Sequence, residues 1–188
     1  FQDQRKYWIG GPPPTAFVTP SQASLKALVV TGLGDMLMLG GILLVFSYAG
    51  TLNFLELYAT APAWLAAMAA TPGMVALVSL LLLAGPFGKS AQFPFHEWLP
   101  EAMAGPGPVS ALIHAATMVK SGVYLVARLV PIFYYGRWVA GIDEAAWFFY
   151  VTAWVGAFTA FLAATQGLVA LELKKVLAYS TVSQIGYM

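Results

Sequence analysis

The sequence predicts an all-α protein, a polytopic transmembrane helix bundle with one broken helix. Three observations predict it. Of 188 residues, 60% are hydrophobic and 9% are charged, where a soluble domain carries about 25% charged residues; the mean hydropathy is +0.75. Four apolar stretches reach the roughly 20 residues that a membrane helix needs, and a fifth is begun. One of the four contains Pro86, Gly88 and Pro94 in close succession, a spacing that a continuous helix does not tolerate.

Residues 1–22 read as a lead-in segment, because Pro12-Pro13-Pro14 cannot be helical throughout. From 23 to 188 the chain reads as one transmembrane domain. Its first span covers about 23–48 and is rich in Leu, Val and Met. Residues 51–73 hold Asn53, Glu56 and Pro62 and read as an external loop with a short interfacial helix. The second span covers about 74–99 as two half-helices. The third covers about 108–130, opening on Pro108 in the favoured first turn after Gly105-Pro106-Gly107. The fourth covers about 145–171, and the fifth, about 174–188, is incomplete.

Lys and Arg accumulate in short cytoplasmic loops. Four spans place Arg5, Lys6, Lys26, Lys174 and Lys175 on one side, with Arg137 and Arg128 toward the other. The asymmetry supports the count. Tyr7, Trp8, Trp98, Phe133, Tyr134, Trp138 and Trp147 fall near span ends, where amphipathic rings settle at headgroups. The sequence opens on Phe1 without an initiating methionine or signal-peptide pattern and stops at Met188 in a helical stretch, as expected of an internal piece of a longer parent.

Several function classes drop out. Cysteine is absent, so this chain offers no thiolate to zinc or an iron-sulfur cluster and no disulfide. Net charge is +1 without a basic run, which gives nucleic acid nothing to hold. No phosphate-cradling glycine motif is present, and His96 and His114 are too few for a zinc site.

Charges inside hydrocarbon cost at least a few kcal/mol each, so ionisable residues within spans are candidate functional groups. Asp35 lies in the first span, Lys89 at the break of the second, and His114 and Lys120 in the third. At about 100° per residue, Ser110, His114, Thr117, Lys120, Ser121 and Tyr124 share roughly one third of the third span's circumference. Such a polar stripe faces other helices or a hydrated cavity and suits a proton path. Thr117 lies between His114 and Lys120, so its hydroxyl or a water could bridge them. The plainer alternatives are an interhelical hydrogen bond for His114, a helix-end position for Lys89 and a snorkelling side chain for Lys120. Asp35 is either a carboxylate partner for a lysine or a protonated interhelical donor. Glu97 and Glu101, four apart, read as a solvated edge, and Thr152, Thr159 and Gln166, seven apart, as helix-to-helix hydrogen bonds. Burial weakens a lysine's hold on its proton by several units, so a lysine can serve as a proton carrier.

The run Gly88-Lys89-Ser90-Ala91-Gln92-Phe93-Pro94-Phe95-His96-Glu97-Trp98-Leu99-Pro100-Glu101-Ala102-Met103-Ala104-Gly105-Pro106 continues with Pro108-Val109-Ser110-Ala111-Leu112-Ile113-His114-Ala115-Ala116-Thr117-Met118-Val119. It resembles the antiporter-like subunits of respiratory complex I, the branch called subunit L in bacteria and subunit 5 in mitochondria. Lys174-Lys175-Val176-Leu177-Ala178-Tyr179-Ser180-Thr181-Val182-Ser183-Gln184-Ile185-Gly186-Tyr187-Met188 resembles a second signature of the same family. The resemblance runs from about Ser24 onward. It implies that Lys89 is a proton-channel residue in a broken helix, that His114 and Lys174 lie on the proton path, and that Asp35 occupies an acidic family position. Lys120 departs from the threonine common in bacterial members and matches multisubunit cation/proton antiporters and archaeal relatives. Ala104-Gly105-Pro106 and Ala111-Leu112-Ile113-His114-Ala115 favour the complex I branch.

The resemblance therefore implies a proton-translocating membrane subunit of a complex I-type oxidoreductase, working through Asp35, Lys89, His114, Lys120 and Lys174. No cofactor is expected in this chain. The electron donor, whether NADH, reduced deazaflavin or ferredoxin, belongs with flavin, iron-sulfur clusters and quinone in partner subunits. The expected partners are other membrane-arm subunits, the lipid bilayer, and protons or sodium in their place, in a prokaryotic plasma membrane. The alternatives are a multisubunit sodium/proton antiporter subunit and a scaffold segment without conduction.

Overall fold

The computed structural model describes residues 20–105, 107–115 and 117–188. Arg5, Lys6, Tyr7, Trp8 and Pro12-Pro13-Pro14 of the lead-in lie outside them, as do Pro106 and Ala116. The described residues form helices and turns, with no strand among them.

Helix α1, Pro20–Ala49, has 30 residues and is about 45 Å long at 1.5 Å per residue, enough to cross a hydrocarbon core of about 30 Å. Two short helices follow, α2 (Phe54–Ala59) and α3 (Ala61–Ala69). Asn53 caps α2, its Oδ1 accepting the Leu55 amide at 3.1 Å. Pro62 sits in the first turn of α3, where its missing N–H is not needed. α4, Met74–Lys89, makes a 114° bend with α3 at Gly73.

At 16 residues, α4 extends about 24 Å and stops short of a full crossing. It runs antiparallel to α1 and ends beside Asp35, halfway along that helix. The helix thus stops at Lys89, within the run of Pro86, Gly88 and Pro94 that predicts a break there. Pro86 sits inside α4, and the helix stops after Lys89. An elbow, residues 90–97, leads into a single turn, α5 (Trp98–Glu101), and a 3₁₀ turn, Ala102–Ala104. Pro94 in the elbow and Pro100 within α5 have no amide to donate to a longer ladder, so the second half is far shorter than a half-helix.

The third span is also interrupted, between α6 (Gly107–Ala115) and α7 (Met118–Tyr134). The Thr117 amide reaches back five residues to the Leu112 carbonyl at 3.3 Å, and the Thr117 hydroxyl donates to the same oxygen at 3.1 Å. A threonine competing for a helical carbonyl widens the turn. α7 runs into a π-helical turn, Tyr135–Val139. α8 (Ala146–Val169) and α9 (Leu173–Tyr187) form an antiparallel pair.

Three helical stretches, Pro20–Ala49, Gly107–Val139 and Asp143–Val169, are long and apolar enough to cross a membrane, or four if the bent pair α3–α4 is one span. Lipid tails give apolar helices no net drive to associate, so close packing and hydrogen bonds hold such bundles. Glycine allows that packing here. A Cβ on Gly34 would stand 2.8 Å from the Ala84 carbonyl oxygen, and one on Gly186 would stand 2.7 Å from the Gly156 carbonyl oxygen. One buried cluster lies toward the α3 end, where Phe133 and Phe148 stack at 4.4 Å over Leu65, Val75 and Leu83. The other wraps the elbow, joining Ala91, Trp98 and Leu99 to Val119, Ala163, Val182 and Ile185.

Candidate functional site

The elbow is the least regular part of the bundle; several of its polar groups are engaged, while Gln92 Oε1 and His96 Nδ1 are buried without a partner among the described residues. The last carbonyls of a helix need outside partners. In α4 the Pro86 oxygen accepts the Ser90 amide at 2.8 Å, the Phe87 oxygen accepts the Gln92 amide at 2.9 Å, and the Gly88 oxygen accepts the Trp98 indole N–H at 2.9 Å. Ala91 takes the left-handed conformation, φ 51°, which turns the chain out of the helix. The Phe93 amide donates to Thr159 Oγ1 of α8 at 2.9 Å, and Ser90 Oγ donates to the Val119 carbonyl of α7 at 2.7 Å.

Lys89 occupies the last turn of α4, where the negative end of the helix dipole favours a cation. Its Nζ contacts Asp35 Oδ2 at 2.7 Å. Of the two alternatives for Asp35, the geometry favours the carboxylate partner. The pair sits at mid-height of α1, its side chains 31% (Lys89) and 40% (Asp35) exposed in this chain. Lys89 and Lys120 are linked through their chain neighbours, since Ser90 bonds to the backbone of Val119.

The polar stripe predicted on one helix is divided between α6 and α7. An extra residue in a turn rotates everything after it by about 100°. Ser110 is buried and His114 half-buried on α6, whereas Lys120, Ser121 and Tyr124 are exposed on α7. His114 Nε2 lies 3.2 Å from Met103 Sδ, while its Nδ1 is buried without a hydrogen-bond partner among the described residues. Thr117 spends its hydroxyl on Leu112 and is exposed. Lys120 and Lys174 are exposed and have no hydrogen-bond or ion-pair partner among the described residues.

A second charge cluster went unforeseen. Lys26 Nζ contacts Glu101 Oε1 at 2.6 Å and Glu97 Oε2 at 3.0 Å. Glu101 is 26% exposed and Glu97 67%, so the expected edge is solvated at Glu97 and also serves as an ion-pair site for Lys26. The sequence showed only the spacing of four that puts the two acids on one helical face; it did not show that Lys26 lies opposite them. Thr159 and Thr152 each bond within α8, and Thr159 also receives the elbow amide; Gln166 Oε1 is buried without a partner among the described residues.

Near its elbow the bundle encloses an open cavity of about 460 Å³ between α4, α7, α8 and α9, with Ser90, Gln92 and Thr152 among its walls. Spanning helices, a helix stopped at mid-height and opposite charges paired across the gap define a polytopic helical membrane protein with ionisable groups inside its bundle.

Residues 16–188 match the family described as NADH:quinone oxidoreductase/Mrp antiporter, TM, and the chain belongs to that family. It is 46% identical over 166 residues to NADH-quinone oxidoreductase subunit L of Escherichia coli (strain K12), covering 88% of this chain and 25% of that protein. It is 44% identical over 170 residues to the chloroplastic NAD(P)H-quinone oxidoreductase subunit 5 of Nephroselmis olivacea, covering 90% and 25%. The chain thus spans about a quarter of these relatives' length. The Mrp complex from Dietzia sp. DQ12-45-1b contains a similar fold, with TM-score 0.73 and 32% identity over 96% of this chain and 18% of that one.

Proposed function

We propose that this chain forms the lysine-bearing part of a proton channel in an antiporter-like subunit of a complex I-type oxidoreductase. The observation that carries the proposal is the Lys89–Asp35 contact of 2.7 Å, made where α4 stops halfway along α1. An ammonium in contact with a carboxylate keeps its proton; the same group separated from it in low-dielectric surroundings gives the proton up more readily. Opening and closing this pair is therefore a means of loading and releasing a proton. Lys120 is the next carrier by this reading, since α7 is held to the end of α4 by the Ser90–Val119 hydrogen bond one residue before it, with His114 on the neighbouring half-helix. Lys174 at the α8–α9 turn has the weakest geometric support, since it is exposed at a helix start. Family membership and the names of the relatives support the assignment to a redox-driven complex. In it the electron donor, flavin, iron-sulfur clusters and quinone reside in partner subunits, and the chain supplies conduction in a bilayer, by this reading a prokaryotic plasma membrane.

The test is made in the parent complex in sealed membrane vesicles. Lys89→Ala and Lys120→Ala are expected to lower protons moved per electron while electron transfer to an artificial acceptor stays near the level of the unaltered complex. Unchanged pumping in both variants overturns the relay. A second function is favoured by the structural likeness to the Mrp complex, namely sodium/proton exchange. It requires cation exchange in the same vesicles without any electron donor. A scaffold role requires that Leu or Ala replace Lys89 and Lys120 without loss of either activity.

A further inference from the structure

The elbow after Lys89 has little to hold it in place by itself. α5 is a single turn of four residues, and helices shorter than about 12 residues are marginal without tertiary support. α7 and α8 give part of it through the Ser90–Val119 and Phe93–Thr159 hydrogen bonds, and α1 gives the charged part. Its second turn carries Lys26, whose ammonium reaches both Glu101 of α5 and Glu97 of the elbow. Lys26 and Asp35 are nine positions apart on α1, about 13.5 Å along the axis, so the same helix grips the broken span at two heights. Between the two grips the indole of Trp98 bonds to the Gly88 carbonyl, linking α5 directly to the residue before Lys89. His96 is buried between them with its Nδ1 unpartnered among the described residues.

We propose that Lys26, with Glu101 and Glu97, is a positioning latch for the proton path. The cluster seats the elbow against α1, and through the Trp98–Gly88 bond keeps the end of α4 in register, so that Lys89 stays opposite Asp35. Lys26 does not carry the transferred proton. Its effect on conduction passes through the placement of Lys89, and the proposal rests on the channel reading above.

The test uses the assembled parent complex with a cysteine placed at Ala91, which is fully buried in the elbow, in a background without other reactive cysteines. Lys26→Met is expected to raise the rate of Ala91→Cys labelling by a small thiol reagent about tenfold, corresponding to ~1.4 kcal/mol of lost closure, and to lower protons per electron without abolishing electron transfer. Lys26→Arg and the exchanged pair Lys26→Glu with Glu101→Lys are expected to return both readouts toward those of the unaltered latch. An unchanged labelling rate in assembled Lys26→Met overturns the latch, as does failure of both the arginine and exchanged variants to restore it. Where Lys26→Met does not assemble, Glu101→Gln with Glu97→Gln answers the same question. Lys89→Ala separates the two ideas. Normal pumping in Lys89→Ala sinks the channel assignment and with it the latch's role in conduction, whereas the labelling rates still decide whether the cluster closes the elbow.

Discussion

At the scale of single residues, the side chains that matter are those whose polar atoms have no water to fall back on. Asp35 is the first case. Asparagine keeps its shape and removes its charge, so Asp35→Asn is expected to reduce proton movement in vesicles more than it reduces the amount of assembled complex on native gels. Thr159 is the second, because its hydroxyl answers the Phe93 amide. Thr159→Val leaves a buried donor unpaired at a cost of about 1–3 kcal/mol, read as a lower midpoint in detergent unfolding. The individual groups were legible in the sequence: Asp35, Lys89, His114 and Lys120 stood out because charge or imidazole inside an apolar run is costly. Their partners were not. Asp35 and Lys89 are 54 positions apart, and Lys26 and Glu101 are 75 apart, and no local periodicity reports a contact at that separation.

At the scale of elements, apolar length marked the three long helical stretches among the described residues, while the places where helices stop are set by contacts it does not report. The prolines bracketed the stop at Lys89 without fixing it, because Pro86 is accommodated inside α4. Thr117 gave no breaker signal at all, since its disruption comes from a hydroxyl choosing the Leu112 carbonyl. The α1–α4 contact yields a paired prediction. Gly34→Val places a side chain against the Ala84 carbonyl, whereas at Gly32 no atom lies within 4 Å of an added Cβ. Gly34→Val is expected to lose about 1–3 kcal/mol through overpacking and to impair pumping by displacing Asp35 from Lys89. Gly32→Ala is expected to leave both the unfolding midpoint and pumping near their original values.

At the scale of the whole molecule, the bundle turns around the elbow, which touches α1, α7 and α8 through side chains spread over the chain. Its topology places Lys26, Lys174 and Lys175 at one end and the Arg137–Asp143 pair at the other. Cysteines introduced at Gly141 and at Leu171 are accordingly expected to react with a membrane-impermeant reagent from opposite faces of oriented vesicles; labelling from one face would require an even number of crossings between them. The sequence pattern of basic residues carried this level of organisation, because it depends on counts and not on contacts.

The order of charges along the two facing elements disfavours one way of moving them past each other. α1 presents a cation and then an anion, Lys26 and Asp35, while the chain opposite presents a cation at Lys89 and anions at Glu97 and Glu101. Sliding α1 lengthwise like a piston, far enough to pass from one pair to the other, brings ammonium toward ammonium or carboxylate toward carboxylate. Translation of α1 along its axis by that distance is therefore electrostatically penalised.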